Sequence, residues 1–533
     1  MSVPVPDWVS FEADKTAGLD LLGLRAPVQQ LSNRLFDGVT TVTPKLRYLS
    51  LISWIVWRYA HARLPDDRSS FLEFAAAQES AFVMANRSKS RSIIQLVGAQ
   101  GADTELDTGK KKLDLKRLTK NIGFNIYVAA SRQLNLTKEA DSGLSKLSEE
   151  RGEVLAKEFD KALKDTAYAA RLAKTPRTAK ISRDELNELA KPLSVVTIPR
   201  GERDILLDVV IPPKPTGAAE LQRVRHYALL LWLTQTKEGI VEEGDIFEVG
   251  QRPPGDLPEC LTETTDGWLS YVVRDCLAVC HEAVFGAVMR HVDRDSAARG
   301  APALANDVVA SLVTWAPEKD DALKTFRILK KGESAEHLSF RAVFDRVHAL
   351  CEKGRMEAAG LARWDGGLSE TDLYEYASSS DDAAVALLPV AWCLAQERIS
   401  QGGSKERRAW DLAGAGLLYQ IGIRDVIRPK VAEFLEQDRS YRDVMAELVM
   451  RTVQQHLRVA WARFSTPRGK DVSVLIADTE SWSRNNGFSA GRTASRLSVA
   501  IDWLNQLHLT SEDGLTKAGE RTLKRCLETL GDS

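Results

Sequence analysis

Residues 487–509 read GFSAGRTASRLSVAIDWLNQLHL, and this stretch decides how the end of the chain folds. Its apolar positions recur at alternating spacings of three and four residues, which predicts one helix. These positions are Ala494, Leu497, Ile501, Leu504 and His508. Asp513-Gly514 follows, the dipeptide preferred in a two-residue β-hairpin because glycine accepts a positive φ. Thr516 can then cap a last helix, whose inner side carries Leu523, Leu527 and Leu530.

The order helix, hairpin, helix, with the opening RTASRL and the closing GLTKAG, resembles the recognition helix and wing of winged-helix proteins. In that family the first residues of the recognition helix enter the major groove, and the wing lies along the DNA backbone. The resemblance implies a base-facing end at Arg492, Thr493, Ser495 and Arg496. Lys517 and Arg521 would follow the wing, and Arg484 stands at the start of the module.

The charge of this module leaves two functions open. From Arg484 to the end of the chain there are seven basic and six acidic residues, which is not the basic face of a strong DNA binder. Phosphate neutralisation dominates nucleic-acid affinity, and winged helices also serve as protein-docking modules, notably in subunits that clamp ATPases. We therefore expect docking on a protein ahead of contact with DNA.

Helical periodicity dominates the rest of the chain. Residues 147–172, for example, place apolar side chains on one stripe and Lys and Glu elsewhere, which predicts an amphipathic helix. The helical pattern is interrupted at predicted domain boundaries, for example by IPPKPTG at 211–217 and by the polar segment 465–470. The sequence predicts a mainly α, multi-domain protein: an N-terminal helical domain (1–135), a helical linker domain (136–212), a central helical domain (213–464) and a winged-helix domain (465–533).

The composition indicates the class of protein and the cellular compartment that we expect. A length of 533 residues suggests two to four domains, and 44% hydrophobic with 27% charged residues is typical of globular proteins. Six scattered cysteines fit a reducing environment. The N-terminus lacks a secretory signal pattern, and the most apolar stretch, 49–57, is about half the length of a membrane span. We expect a cytoplasmic protein without a membrane segment.

A second candidate site is the basic segment GKKKLDLKRLTK at 109–120, with six positive charges and one negative. Its cations are Lys110, Lys111, Lys112, Lys116, Arg117 and Lys120. Leu113, Leu115 and Leu118 would anchor the segment while the lysines face solvent, and Arg87 and Arg91 lie upstream. Such a cluster neutralises phosphates without reading sequence. The alternative is a solvated helix face without a partner.

Catalytic signals are weak. Cys276, Cys280 and His281 stand on an apolar helix, but no second Cys/His pair at ligand spacing completes a zinc site, so we expect buried core residues. Two pairs fit the Arg-x(4–6)-His spacing of a helical ribonuclease family, Arg451 with His456 and Arg341 with His348, yet roughly two such matches are expected by chance. The sequence shows no Walker A loop, dinucleotide fingerprint, nucleophile elbow or HExxH motif. We predict neither an enzyme nor a cofactor.

One resemblance extends beyond the C-terminus. It rests on LDLLGLR at 19–25, GVTTVTPKLRY at 38–48, HLRVAW at 456–461 and the winged-helix ending. Together these are similar to the kleisin-like accessory subunit of an SMC/Rad50-type ATPase in bacterial anti-phage systems of the Lamassu type. The resemblance implies a non-enzymatic scaffold that bridges the ATPase and an effector nuclease, with double-stranded DNA as a further partner. A DNA-binding transcriptional regulator and an unrecognised nuclease are the alternatives.

Overall fold

A computed structural model describes residues 20–531 except 63, 141–143, 238, 252, 359–368, 401–421, 466–472 and 479. These residues are mainly helical, with few and short strands, which confirms the predicted mainly α class. Most of the predicted joint at 465–470 lies outside the described residues. Among the described residues, none of the helices combines the length and the apolar character that crossing a membrane requires.

The elements follow in chain order. They are α1 (Arg25–Leu35), α2 (Arg47–His61), α3 (Arg68–Lys89), α4 (Ala99–Leu106), β1 (Lys112–Asp114), α5 (Gly123–Gln133), β2 (Thr137–Glu139), β3 (Ser145–Leu147), α6 (Gly152–Leu163), α7 (Ala167–Lys174), β4 (Lys180–Ser182), α8 (Arg183–Leu189), α9 (Arg200–Val210), α10 (Ala218–Lys237), α11 (Glu243–Gln251), α12 (Thr262–Arg299), β5 (Ala303–Leu304), α13 (Ala305–Val313), α14 (Pro317–Thr325), α15 (Phe340–Ala358), α16 (Glu370–Ala377), α17 (Asp381–Ser400), α18 (Arg428–Glu436), α19 (Tyr441–Phe464), β6 (Leu475–Ala477), β7 (Ser481–Arg484), α20 (Leu497–Gln506), β8 (Thr510–Ser511), β9 (Gly514–Leu515) and α21 (Lys517–Leu530).

The chain forms two compact units, each assembled from segments that are distant in sequence. Unit 1 comprises Met1–Ser32, Phe247–Leu257 and Thr265–Thr493. Unit 2 comprises Asn33–Ile246, Pro258–Thr264 and Ala494–Ser533.

Unit 2 is organised around α2, whose sequence RYLSLISWIVWRYAH is buried along most of its length. Trp54 packs against Phe159 of α6 at 5.6 Å between ring centroids and donates its indole N–H to Asp160 at 2.8 Å. The helix begins at Arg47, which forms a fully buried ion pair with Glu202 of α9. α2 thus brings the polar groups of Arg47 and Trp54 to partners on the neighbouring helices, as buried polar groups require.

The predicted helix at 147–172 is two helices, α6 and α7. Thr166 separates them, because its side chain accepts a hydrogen bond from the backbone of Ala169 and so caps the second helix. A threonine at this position competes with helix continuation, since its hydroxyl satisfies a backbone N–H that a helical turn would otherwise use.

The end of unit 2 has the predicted order of helix, hairpin and helix. β8 and β9 pair antiparallel, and the Thr516 side chain caps α21 by accepting from Gly519 N at 3.1 Å. Gly514 has a φ of +107° but lies in β9, one residue past the two-residue turn. α20 is shorter than the predicted stripe: Ala494 precedes it, and His508 follows it with a φ of +60°. Helix, short hairpin and helix are established here.

Unit 1 is built on α12 and α17. α12 is buried on all sides through its middle, and α17 is buried from Ala383 to Ala395 despite Pro389 inside it. β5, β7 and β6 form a three-stranded antiparallel sheet in that order. α12 is thus a core helix that also carries buried charged side chains, among them Arg274, Asp275 and Glu282.

Candidate nucleic-acid interface

Arg492 and Thr493, predicted to face DNA bases, make contacts inside unit 1. The Arg492 Nε lies 3.2 Å from Oδ2 of Asp275, a carboxylate that is 1% exposed. Its guanidinium also stands over the rings of Phe247 and Tyr374, 5.3 Å from each centroid. Thr493 is buried, and its backbone N–H donates to Asp275 at 3.3 Å. The Nε of Arg492 and the backbone N–H of Thr493 are thus engaged within unit 1.

Ser495 and Arg496 are engaged within unit 2. Arg496 donates to the carbonyl oxygen of Phe36 at 3.0 Å and to the side chain of Asn33. Ser495 is buried, and its hydroxyl oxygen accepts from Leu497 N at the start of α20. Their roles in reading DNA stay predictions.

The three remaining residues of the predicted module are exposed. Arg484, in unit 1, forms an ion pair with Asp293 and donates to the carbonyl of Asn486 at 3.0 Å. Lys517 and Arg521 are exposed on the first turns of α21 in unit 2. Lys517 and Arg521 present their charges to solvent on one helix face, because they are four residues apart.

The basic segment forms an edge strand instead of a helix face. Its centre is β1, which pairs antiparallel with β4, so that Leu113 stands opposite Ile181 and Lys112 opposite Ser182. Leu113 and Leu115 are buried and Lys112 is exposed, as strand alternation requires. Two of the three predicted anchors, Leu113 and Leu115, are therefore buried, and Leu118 is half-buried. The helical alternative is wrong because the side chains alternate with a period of two.

Two acids neutralise part of the segment. Glu105, nearly buried, lies 2.9 Å from Lys116 and 3.7 Å from Lys110, and Asp114 lies 3.2 Å from Lys110. The other cations of the segment are exposed and make no ion pair with any residue that the structure describes: Lys111, Lys112, Arg117 and Lys120.

Pairing with β4 adds cations that the sequence reasoning missed. Arg177 precedes β4 and donates to the hydroxyl of Ser70 at 2.9 Å, and Lys180 lies 3.7 Å from Asp114 with 62% of its side chain exposed. The periodic spacing of basic residues in KTPRTAKISR at 174–183 was the available signal, but only strand pairing brings it to β1. We call the combined set the basic surface: Lys110, Lys111, Lys112, Lys116, Arg117, Lys120, Arg177 and Lys180.

The upstream arginines do not extend this surface. Arg87 is buried, pairs with Asp103 and donates to the carbonyl of Ile93 at 2.8 Å. Arg91 lies 2.7 Å from Asp103 and 2.9 Å from Asp107. Both arginines tie α3 to the α4 region, so their charges are used in holding the fold.

A cavity of about 490 Å³ opens beside the basic surface in unit 2. It lies between α3, the residues after β1 and the loop before β4, and its walls are mainly apolar. The lining residues are Ser70, Glu73, Phe74, Ala76, Ala77, Leu115, Lys116, Arg117, Pro176, Arg177, Thr178 and Ala179. Three cations of the basic surface thus belong to the cavity as well.

Near this cavity, the Glu79 carboxylate of α3 accepts from the backbone N–H groups of Gly123 (2.7 Å) and Phe124 (2.5 Å) at the start of α5. Burial raises the pKa of Glu79 to about 7, and the two N–H donors and the positive charge of Arg117 oppose that rise.

The residues considered for chemistry in unit 1 are core residues. Cys276, Cys280 and His281 are buried, as expected. His281 accepts from Trp392 Nε1 at 2.9 Å, and its Nδ1 lies 2.8 Å from the hydroxyl of Thr452. Across the described ranges no group of three or more His, Cys, Asp or Glu side chains is placed to hold a metal ion.

Of the two pairs with the ribonuclease-like spacing, Arg341 and His348 are exposed, and the Nδ1 of His348 lies 2.9 Å from the carboxylate of Glu397. The other pair, Arg451 and His456, is engaged inside the fold. His456 is buried, with Nδ1 3.2 Å from the carbonyl of Leu21 and Nε2 accepting from Val474 N at 3.2 Å. Arg451 pairs with Glu447 at 2.9 Å. The geometry therefore uses both side chains inside the fold.

Comparison with known proteins found no match to a protein-family model, to a curated protein or to a solved structure.

Proposed function

We propose that this protein is a non-enzymatic scaffold that binds the DNA backbone through the basic surface and docks on a partner protein through its C-terminal helix–hairpin–helix. In the form that the sequence resemblance implies, it bridges an SMC/Rad50-like ATPase and an effector nuclease in a bacterial anti-phage complex. We further propose that the C-terminal elements act as a winged helix whose role is docking.

The basic surface is the observation that carries the proposal. Four of its cations, Lys111, Lys112, Arg117 and Lys120, are exposed and have no ion-pair partner among the described residues. A strand edge with such side chains presents charge without a matched pattern of base-reading groups, which suits contact with phosphates. The proposed DNA contact is therefore independent of base sequence.

The placement of the predicted base-reading arginines favours the scaffold over the transcriptional regulator. Arg492 and Arg496 each make hydrogen bonds within the chain. Reading bases would cost those bonds, including the contact of Arg492 with the buried carboxylate of Asp275. The exposed pair Lys517 and Arg521 supports docking on a protein surface that carries acidic groups.

The DNA contact is tested by the variant Lys111→Gln, Lys112→Gln, Lys120→Gln, titrated with a fluorescent DNA duplex at several salt concentrations. Each lost phosphate contact lowers the slope of log K against log salt by about 1, so we expect a decrease of about 2 to 3. The matched control replaces Lys138, Lys146 and Lys164, exposed lysines of unit 2 outside the basic surface, by Gln. Equal slopes for both variants would contradict the proposal.

Docking is tested by co-purification with the ATPase, using Lys517→Glu with Arg521→Glu. We expect capture at low salt to fall about 10-fold, since reversing two charges at an acidic interface introduces like-charge repulsion. Arg200→Glu on α9, with 88% of its side chain exposed, is the control for charge reversal elsewhere in unit 2. Undiminished capture by the α21 variant excludes this face as the docking site.

A further inference from the structure

We propose that the cavity of unit 2 binds a single nucleotide, with its phosphate at the Arg117–Arg177 side and its base against the apolar wall. This goes beyond the proposed function, because the cavity would take a nucleotide whether or not the basic surface holds duplex DNA. The shared chemistry is a phosphate joined to a flat, mostly apolar body, either a free mononucleotide or the terminal nucleotide of a DNA strand.

The phosphate end is supplied by three cations from two segments. Arg117 lines the cavity and makes no ion pair with any described residue, and Arg177 is steadied by its 2.9 Å hydrogen bond to Ser70. Lys116 contributes a third charge while paired with Glu105. Guanidinium groups bind phosphate oxygens through charge-assisted, often bidentate hydrogen bonds. The arrangement therefore favours a phosphate over an uncharged ligand.

The rest of the cavity suits a nucleobase. Phe74, Leu115 and Pro176 give it an apolar wall, and a volume of about 490 Å³ lies in the range of roughly 300–1,000 Å³ usual for small-ligand pockets. Phe74 is held edge-on against Tyr59, with 5.5 Å between centroids. A rigid ring beside aliphatic carbons is a favourable surface for the face of a base.

Glu73 gives the cavity a preference among bases. A carboxylate only accepts hydrogen bonds, so it complements an amino group or a ring N–H at the edge of the base. Among the bases, guanine presents both groups side by side. We therefore expect deoxyguanosine monophosphate to bind more tightly than thymidine monophosphate.

The experiment titrates the full chain with deoxyguanosine monophosphate by calorimetry, beside deoxyguanosine and inorganic phosphate. The nucleotide should bind, and either half alone should bind at least about 10-fold more weakly, because charged hydrogen bonds contribute about 1.5–3 kcal/mol. A 5′-phosphorylated oligonucleotide against its unphosphorylated form distinguishes a strand end from a free nucleotide as the source. Equal affinity for phosphate alone would overturn the proposal.

Variants separate this site from the basic surface. Ala77→Leu fills the cavity without changing charge, and Ala167→Leu on α7 is its control at an exposed alanine outside the lining. Ala77→Leu should abolish nucleotide binding and leave the salt dependence of duplex binding unchanged. The variant with Gln at positions Lys111, Lys112 and Lys120 should leave nucleotide binding unchanged and reduce the salt dependence of duplex binding.

Charge at the phosphate end is tested by Arg177→Gln, with Lys174→Gln as the matched loss of one exposed charge on α7. We expect an affinity loss of about 10- to 100-fold for Arg177→Gln, in line with a lost charged hydrogen bond, and little change for Lys174→Gln. Nucleotide binding that survives both Ala77→Leu and Arg177→Gln overturns the site. Loss of nucleotide binding together with unaltered duplex binding leaves the DNA proposal standing.

Discussion

Among single residues, Arg47 and Glu202 form a fully buried ion pair in unit 2. Both side chains are fully buried, and the guanidinium binds both carboxylate oxygens at 3.0 Å. Its remaining N–H groups donate to the carbonyls of Ser194 (2.5 Å) and Pro192 (2.6 Å). Because all three nitrogens of the guanidinium donate, the pair ties α2 to α9 and to the segment before α9.

Removing one partner of this pair leaves a buried charge without compensation. We expect Glu202→Leu to lower the free energy of unfolding of unit 2 by about 3–5 kcal/mol, and the double variant with Arg47→Met to recover much of that loss. Amide hydrogen exchange in α2 and α9 measures the stability of the single and of the double variant. A double variant as unstable as the single one would show that the pair is not the cause.

Glu79 makes the stability of unit 2 depend on pH. Burial raises the pKa of this carboxyl from 4.5 to about 7, so the folded state binds the proton more tightly than the unfolded state. The resulting stabilisation, about 3 kcal/mol, is complete below pH 4.5 and is lost as the pH rises through 7. Melting temperatures of wild type and Glu79→Gln should therefore diverge in favour of the variant between pH 5 and 7.5. A pH-independent difference contradicts this prediction.

His281 gives the stability of unit 1 the opposite dependence on pH. Burial lowers its pKa to about 3, and its Nε2 accepts from Trp392, so the neutral ring is the form that fits. The stabilisation is present above pH 6.5 and is lost as the pH falls toward 3. Relative to His281→Gln, the wild type should lose thermal stability on acidification. A gain on acidification would refute the neutral assignment.

At the scale of elements, the C-terminal helix α20 is joined to the N-terminal part of unit 2. The Trp503 indole donates to the carbonyl of Thr43 at 3.0 Å. Gln506 accepts from Leu46 N at 2.9 Å and donates to the carbonyl of Pro44 at 2.8 Å. Two side chains of α20 thereby satisfy the backbone that leads into α2.

Trp503 should therefore hold two distant segments together. It is fully buried, so Trp503→Ala is expected to cost about 3–5 kcal/mol. Hydrogen exchange should increase both in residues 38–48 and in α20–α21, whereas Asn505→Ala, an exposed position on the same helix, should change neither. An increase confined to α20 would show that the N-terminal segment holds its conformation unaided.

The sequence motifs that suggested the defence-complex resemblance are also joined to one another in pairs by hydrogen bonds. Leu22 at the start of the chain accepts through its carbonyl from the Gln455 side chain at 2.9 Å, and the neighbouring His456 lies 3.2 Å from the carbonyl of Leu21. Residues 38–48 likewise form hydrogen bonds with α20. These motifs are therefore coupled by packing, which gives each of them a structural reason to be present.

At the scale of the whole molecule, both units depend on segments from far apart in the chain. α21 packs on α10, so residues 494–533 complete unit 2 and not unit 1. Truncation after residue 493 should therefore raise hydrogen exchange throughout α2 and α10 while α12, α17 and α19 remain protected. Protection of α2 and α10 at the wild-type level would show that the C-terminal segment folds as a separate appendage.

The amino-acid sequence alone predicts the mainly α class, the order of helix, hairpin and helix near the C-terminus, and the cap at Thr516. Each of these follows from local chemistry: helical periodicity, a turn-forming Asp-Gly dipeptide (its glycine lies one residue past the turn), and a hydroxyl at a helix start. None needs a partner distant in the chain.

Only the tertiary structure decided which charges are exposed. Arg492 resembles a base-reading arginine until Asp275, more than two hundred residues earlier, is seen to hold it. Lys111 and Arg177 belong to one surface only because β1 pairs with β4. A side chain's charge is local, but its availability depends on what long-range packing places beside it, and no pattern within a short window carries that information.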